Sequence, residues 1–212
     1  MNTLQEKYHK ELERQLKILC SATVQAFIDT HMFMFPVAYK HKNQHTQVYL
    51  YTFYAIRQRA TLSVRKLIEP AGKGNDKITI QSIVKLVTKP DFLLLSEKEK
   101  AYVSGDFDKL FNSEHTKRMK AFRDSYCHNI NYEDEVMCYY KDFMHIVSTS
   151  MNILEQLYMI TFRTIPTFFT EARDIAIFLS QEYWKAINNA ARSANKNNEV
   201  NARLEQMLRG EF

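Results

Sequence analysis

Glycine and proline are scarce, with four of each in 212 residues, about 4% of the chain where average usage gives about 12%. Tight turns draw on glycine for a positive φ and on proline for a preset one. A chain this poor in both makes few such turns, which disfavours barrels, sandwiches and glycine-dependent nucleotide folds. No segment alternates apolar and polar residues for long enough to make a strand. A helical protein remains.

Composition bounds the kind of helical protein. A hydrophobic share of 45% and an aromatic share of 13% belong to a chain that packs a core and not to a disordered one. The length suits one domain with at most an appended tail. No run approaches the ~18 apolar residues that span a bilayer, and the start, MNTLQEKYHKELERQ, is too charged for a signal peptide. The expectation is a cytoplasmic protein with no membrane partner. Cys20, Cys127 and Cys138 form no CxxC pair, so neither a disulfide framework nor a zinc module is implied. The formal net charge of +5 is spread along the chain and permits an RNA partner without requiring one.

Apolar residues at three- and four-residue steps mark the helices. Leu4, Tyr8, Leu12, Leu16, Leu19 and Ala26 make the first, expected to end between Phe27 and Thr30. The segment HMFMFPVAYKHKNQH, with Pro36, reads as a connection. Tyr49, Phe53, Ile56, Ala60, Val64 and Leu67 make a second helix that stops at Glu69, before Pro70. AGKGND is a loop without the spacing of a phosphate-binding loop. Thr79 caps the short helix IQSIVKLV, and Ser96 with Glu99 is a capping box. The helix it opens is expected to break at Gly105 and restart with Asp106 as cap.

A stripe of Phe107, Phe111, Met119, Phe122 and Tyr126 follows, fading near His128 and Asn129. Asn131 with Asp134 reads as a fresh N-cap, for a helix carrying Val136, Tyr140, Phe143, Val147, Met151, Leu154 and Tyr158. Thr164 and Pro166 start a last helix with Phe168, Ala172, Ile175, Leu179, Tyr183 and Ile187 as its apolar face. Residues 195–212 read as a frayed tail or a short terminal helix. The predicted fold is all-α: one helical-bundle domain over residues 1–194, built of five or six main helices.

Motifs that carry chemistry are few. No HExxH is present. His41 and His45 lie four apart but lack a third ligand, so they read as polar residues of a connection, and no metal site is assigned. The informative stretch is KRMKAFRDSYCHN, from Lys117 to Asn129. Arg123 and His128 form an R-x4-H pair at the junction of two amphipathic helices, Asp124 directly follows the arginine, and Lys117, Arg118 and Lys120 precede it.

Cleaving RNA through its own 2′-hydroxyl needs a proton acceptor, a proton donor and positive charge against the phosphate. Histidine and arginine supply those functions near neutral pH. Five positions along a regular helix set two side chains about 140° apart. Arg123 and His128 therefore act together only if the helix ends there or if two chains meet. Asp124, four before His128, is placed to orient the imidazole or to hold Arg123, while Lys117, Arg118 and Lys120 add attraction for phosphate. The same basic groups also suit a helix cap, since cations in a last turn complement the helix dipole.

This motif and its setting resemble the HEPN superfamily (higher eukaryotes and prokaryotes nucleotide-binding), and within it the bacterial abortive-infection branch. TFYAIRQRATLSVRKLIEP is similar to that branch's second core helix and ITIQSIVKLV to the short helix after it. The likeness covers roughly residues 45 to 160. It implies an all-helical fold with a HEPN-like core, and a homodimer in which two motifs meet and cleave RNA without a metal or any other cofactor. It makes Arg123, Asp124 and His128 the catalytic candidates, with Lys117, Arg118 and Lys120 as substrate-binding ones. The activity implied is that of an endoribonuclease of toxin or phage-defence type, for which an antitoxin protein is a further partner. Asp124 stands where many members have Asn. Two alternatives stay open: a catalytically inactive HEPN-like module that binds RNA, a nucleotide or a protein, and a helical scaffold in which the motif is a cap.

Overall fold

The first helix, α1 (Thr3–Tyr39), runs for 37 residues, about 55 Å at 1.5 Å per residue, and most of the other elements pack on it. The computed structural model of the protein describes residues 3–39, 47–70, 77–128, 138–196 and 206; the side chains of 35–39, 47–50, 123–128, 191–192 and 194–196 lie outside that description. After α1 come α2 (Gln47–Ile68), α3 (Ile80–Val87), α4 (Glu97–Asn112), α5 (Glu114–His128), α6 (Tyr140–Phe162) and α7 (Phe168–Lys196). Among the described residues there is no strand, so the fold is an all-α bundle, with seven helices where five or six main ones were expected. No helix among them is long and apolar enough to cross a membrane.

The buried stripe of α1 is Leu12, Leu16, Leu19, Ala26, Phe27 and Phe33, facing α2, α3, α6 and α7. Each fully buried leucine contributes about 1.5–3 kcal/mol relative to an exposed one. The helix does not end near Phe27 to Thr30 as its periodicity suggested; it continues through Pro36. Proline has no N–H to give the carbonyl four residues back, which here belongs to Met32. That carbonyl instead accepts the indole N–H of Trp184 at 2.6 Å, and Trp184 is fully buried. Phe33 also packs on Phe53 and Phe143, with ring centroids 5.4 Å and 5.2 Å away. Tertiary burial thus holds helical a segment whose local sequence argues for a break.

α2 buries Ile56, Ala60, Val64 and Leu67, as its spacing predicts, and ends at Ile68. Both expected caps are in place. The Thr79 hydroxyl accepts the Ser82 N–H and the Ser82 hydroxyl accepts the Thr79 N–H. At α4 the Ser96 hydroxyl accepts from the Glu99 N–H and the Glu99 carboxylate from the Ser96 N–H. Gly105 does not interrupt α4, which is continuous from Glu97 to Asn112, and Asp106 caps nothing. The break falls at Ser113. Its hydroxyl accepts the Thr116 N–H at 3.1 Å, while the Thr116 hydroxyl donates back to the Leu110 carbonyl at 2.8 Å, so a serine and a threonine turn the chain where a glycine was expected to.

α6 begins at Tyr140, with Cys138 and Tyr139 outside the helix, so one helix does not run on from Asn131. Asn131, Asp134 and Val136 lie outside the described residues, as do the loop AGKGND, His41, His45 and the side chains of Tyr49 and Tyr126. At its other end α6 stops at Arg163, in the left-handed region with φ 56. In α7 the expected face is only partly the inner one: Ala172 is buried and Phe168 and Ile187 pack against the core. The buried residues of α7 are Phe169, Ala172, Ala176, Ser180 and Trp184, whereas Ile175, Leu179 and Tyr183 are exposed, with Phe178 beside them. α7 extends to Lys196, two residues beyond the domain boundary read from the sequence, and the expected tail lies almost wholly outside the described residues.

Candidate functional site

Arg123, Asp124 and His128 all lie on α5, which stays helical through His128, its last residue. The backbone therefore makes no turn between the arginine and the histidine, and the two positions leave the helix about 140° apart. Their side chains lie outside the described residues. The basic residues before them diverge. Lys117 sits in solvent with Glu114 at 2.8 Å, an exposed pair of little energetic consequence. Lys120 turns toward α4, its ammonium 3.7 Å from the centre of the Phe111 ring. Arg118 faces α6.

There Arg118 meets a polar cluster that the sequence reading missed. The Ser113 turn sets His115 and Arg118 in the first turns of α5, three apart and so on one face. Asp142 and His145 hold the same spacing in the first turns of α6. The Asp142 carboxylate is fully shielded from solvent. Its Oδ1 accepts from Arg118 through Nε at 3.1 Å and Nη2 at 2.6 Å. Its Oδ2 accepts the Tyr139 N–H at 2.8 Å and thereby caps α6. His115 Nδ1 lies 2.6 Å from the same Oδ1 and 3.0 Å from Arg118 Nη2; in the protonated ring Nδ1 donates to the carboxylate. The His145 ring stacks against His115 with centroids 4.2 Å apart.

Electrostatics in the cluster have assignable causes. Burial alone would push the Asp142 carboxyl up. The hydrogen bonds from Arg118, His115 and the Tyr139 N–H, with the arginine's charge, outweigh that penalty and bring it down to about 2. His145 is held below the ordinary imidazole value by burial and then by the charge of His115, with Asp142 acting in the opposite sense. Burial, reinforced by Asp142, pushes the neighbouring Cys138 thiol up to about 12, and burial alone raises Cys20 to about 12. Neither thiol is a nucleophile at neutral pH. Arg57 on α2 lies 4.6 Å over the Phe122 ring and contributes positive charge at Cys138.

Beside the cluster, Phe33, Met34, Cys138, Tyr139, Tyr140 and Lys141 line an open cleft of about 470 Å³ at the start of α6. A second apolar groove of about 510 Å³ runs between α4 and α6 past Tyr102, Gln156 and Met159. Among the described residues no group of three His, Cys, Asp or Glu is placed to hold a metal ion. The cluster had a sequence signal, H-x-x-R at 115–118 and D-x-x-H at 142–145, but each half is a common helical spacing and only packing brings the halves together. Comparison with protein-family models, curated proteins and solved structures finds no match to this chain.

Proposed function

We propose that the protein is a metal-independent endoribonuclease of HEPN type, of the toxin or phage-defence kind, acting as a homodimer. The observation that carries the reading is the R-x4-H pair at the end of α5 in an all-α bundle. The helix does not turn between the two residues, so a site using both is most simply assembled by presenting each motif to its copy across a two-fold axis. In that site an imidazole takes the proton of the RNA 2′-hydroxyl. The 2′ oxygen bonds to phosphorus, the bond from phosphorus to the 5′ oxygen breaks, and a protonated imidazole returns a proton to the leaving oxygen. His128 fills the proton-transfer role, Arg123 stabilises the charge that builds on the phosphate, and Asp124 positions one of them. The products are a 2′,3′-cyclic phosphate and a 5′-hydroxyl.

The test is incubation of purified protein with RNA in EDTA, beside His128→Ala and with a DNA strand of the same sequence. Cleavage of RNA alone by the wild type, lost by at least about a hundredfold in the variant, is the expected result. Equal activity in the two proteins refutes the reading. RNA that is bound and left intact transfers the assignment to a HEPN-like module that binds RNA, a nucleotide or a protein partner.

A further inference from the structure

We propose that His115, His145 and Arg118 form a binding site for a backbone phosphate of RNA, with Asp142 as its positioning residue. RNA as the source of the phosphate rests on the ribonuclease reading; an arginine beside two imidazoles suits a phosphoryl anion. Three features lead there.

The first is that the cluster contains more than a structural clamp requires. Asp142 is satisfied by Arg118, His115 and the Tyr139 N–H, and His145 takes no part in that pairing. It stacks on His115 instead, and among the described residues its ring nitrogens join no hydrogen bond. Stacked imidazoles beside an arginine repel one another once protonated, and an anion at their edges removes that cost.

The second is that the donors open outward. Asp142 is fully buried, but the side chains of Arg118 and His115 are 33% and 29% exposed. Asp142 holds His115 through Nδ1, and among the described residues the ring's Nε2 joins no hydrogen bond. Arg118 binds Asp142 through Nε and Nη2 and keeps further N–H donors for a second acceptor. When His115 is protonated it donates to Asp142 on one side and to a phosphate on the other.

The third is the charge balance around the pair. From α5 it is faced by Arg118 and by the exposed Glu114, which is already paired with Lys117. From α6 it is faced by Asp142, and Arg57 of α2 reaches the same pocket through Cys138, whose thiol is uncharged. Among the described residues, protonated imidazoles would leave positive charge in excess. The cleft walled by Tyr139 and Tyr140 shares Cys138 with the cluster, and an aromatic wall beside a phosphate site suits a nucleotide base better than a free inorganic ion.

The test follows the histidine ring protons of the full-length protein by NMR at pH 6 and pH 8. Inorganic phosphate is added in one arm and a 2′-O-methyl oligoribonucleotide, which lacks the attacking hydroxyl, in the other, with signals assigned through His115→Gln and His145→Gln. Both additions are expected to move the His115 and His145 signals, with weaker binding at pH 8. For the oligonucleotide at pH 6, His145→Gln should lower the slope of log affinity against log salt by about 0.7, the single-strand value for one neutralised phosphate. Thermal melting checks that the variant is folded, and His145→Asn replaces it if it is not. Unmoved His115 and His145 signals in both arms, or an unchanged salt slope in a folded variant, overturn the proposal. Signals moved by inorganic phosphate alone overturn the assignment to RNA. Binding is read without cleavage, so an inactive wild type refutes the ribonuclease reading and leaves this measurement standing.

Discussion

Asp142→Asn removes one charge from a carboxylate that takes no solvent exposure while leaving an oxygen to cap α6. The group's pKa falls from 3.8 to about 2 on folding. A depressed carboxyl stabilises the fold above its unfolded value and loses that contribution as the pH falls through the folded value. One unit is about 1.4 kcal/mol, so ionised Asp142 contributes about 2 kcal/mol at pH 6, about 1 kcal/mol at pH 3 and almost nothing below pH 2. The asparagine variant has no such dependence. Urea unfolding followed by circular dichroism at pH 6, 4 and 3 gives the difference between the two proteins, which should shrink by about 1 kcal/mol between pH 6 and pH 3. A difference that stays constant over that range, or that widens, would refute the claim that hydrogen bonds and the arginine's charge outweigh the burial of Asp142.

Two further outcomes concern the backbone. Trp184→Phe leaves the Met32 carbonyl without the donor that Pro36 cannot supply, at a cost of about 1–3 kcal/mol. In a Pro36→Ala background the restored N–H should reduce that cost by about 1 kcal/mol, a double-mutant cycle that denaturant melts can read and that additive effects would contradict. Gly105 sits inside α4 with nothing within 4 Å of an added Cβ, so Gly105→Ala should stabilise by about 0.5–1 kcal/mol. Arg163 holds φ 56, where glycine bears no Cβ strain, so Arg163→Gly should stabilise by about 1 kcal/mol. A fall in melting temperature in either variant counts against the corresponding argument.

What was legible along the chain was local. The Thr79 and Ser96 caps hold because a capping box is complete within four residues and needs no distant partner. The stripe of α2 holds because its apolar residues occupy a single face. Arg123, Asp124 and His128 were legible as a pattern, and α5 carries all three positions. The cluster of His115, Arg118, Asp142 and His145 was not, since a separation of 24 to 27 residues leaves no periodic trace.

The sequence by itself determined the helical class, because so few glycines and prolines leave little chance to turn. It determined the starts of α3 and α4 as well, because their caps are short-range hydrogen bonds. Tertiary structure alone decided how far α1 runs, since Trp184, 152 residues away, supplies the donor that Pro36 lacks. It also decided which face of α7 is inside. The inward positions Ala172, Ala176 and Ser180 are small and lie between the large buried Phe169 and Trp184, and small side chains let two helices approach closely. Ile175, Phe178 and Leu179, larger and more apolar, remain outside, because what the facing helices admit is a matter of shape that hydrophobicity along one segment does not encode.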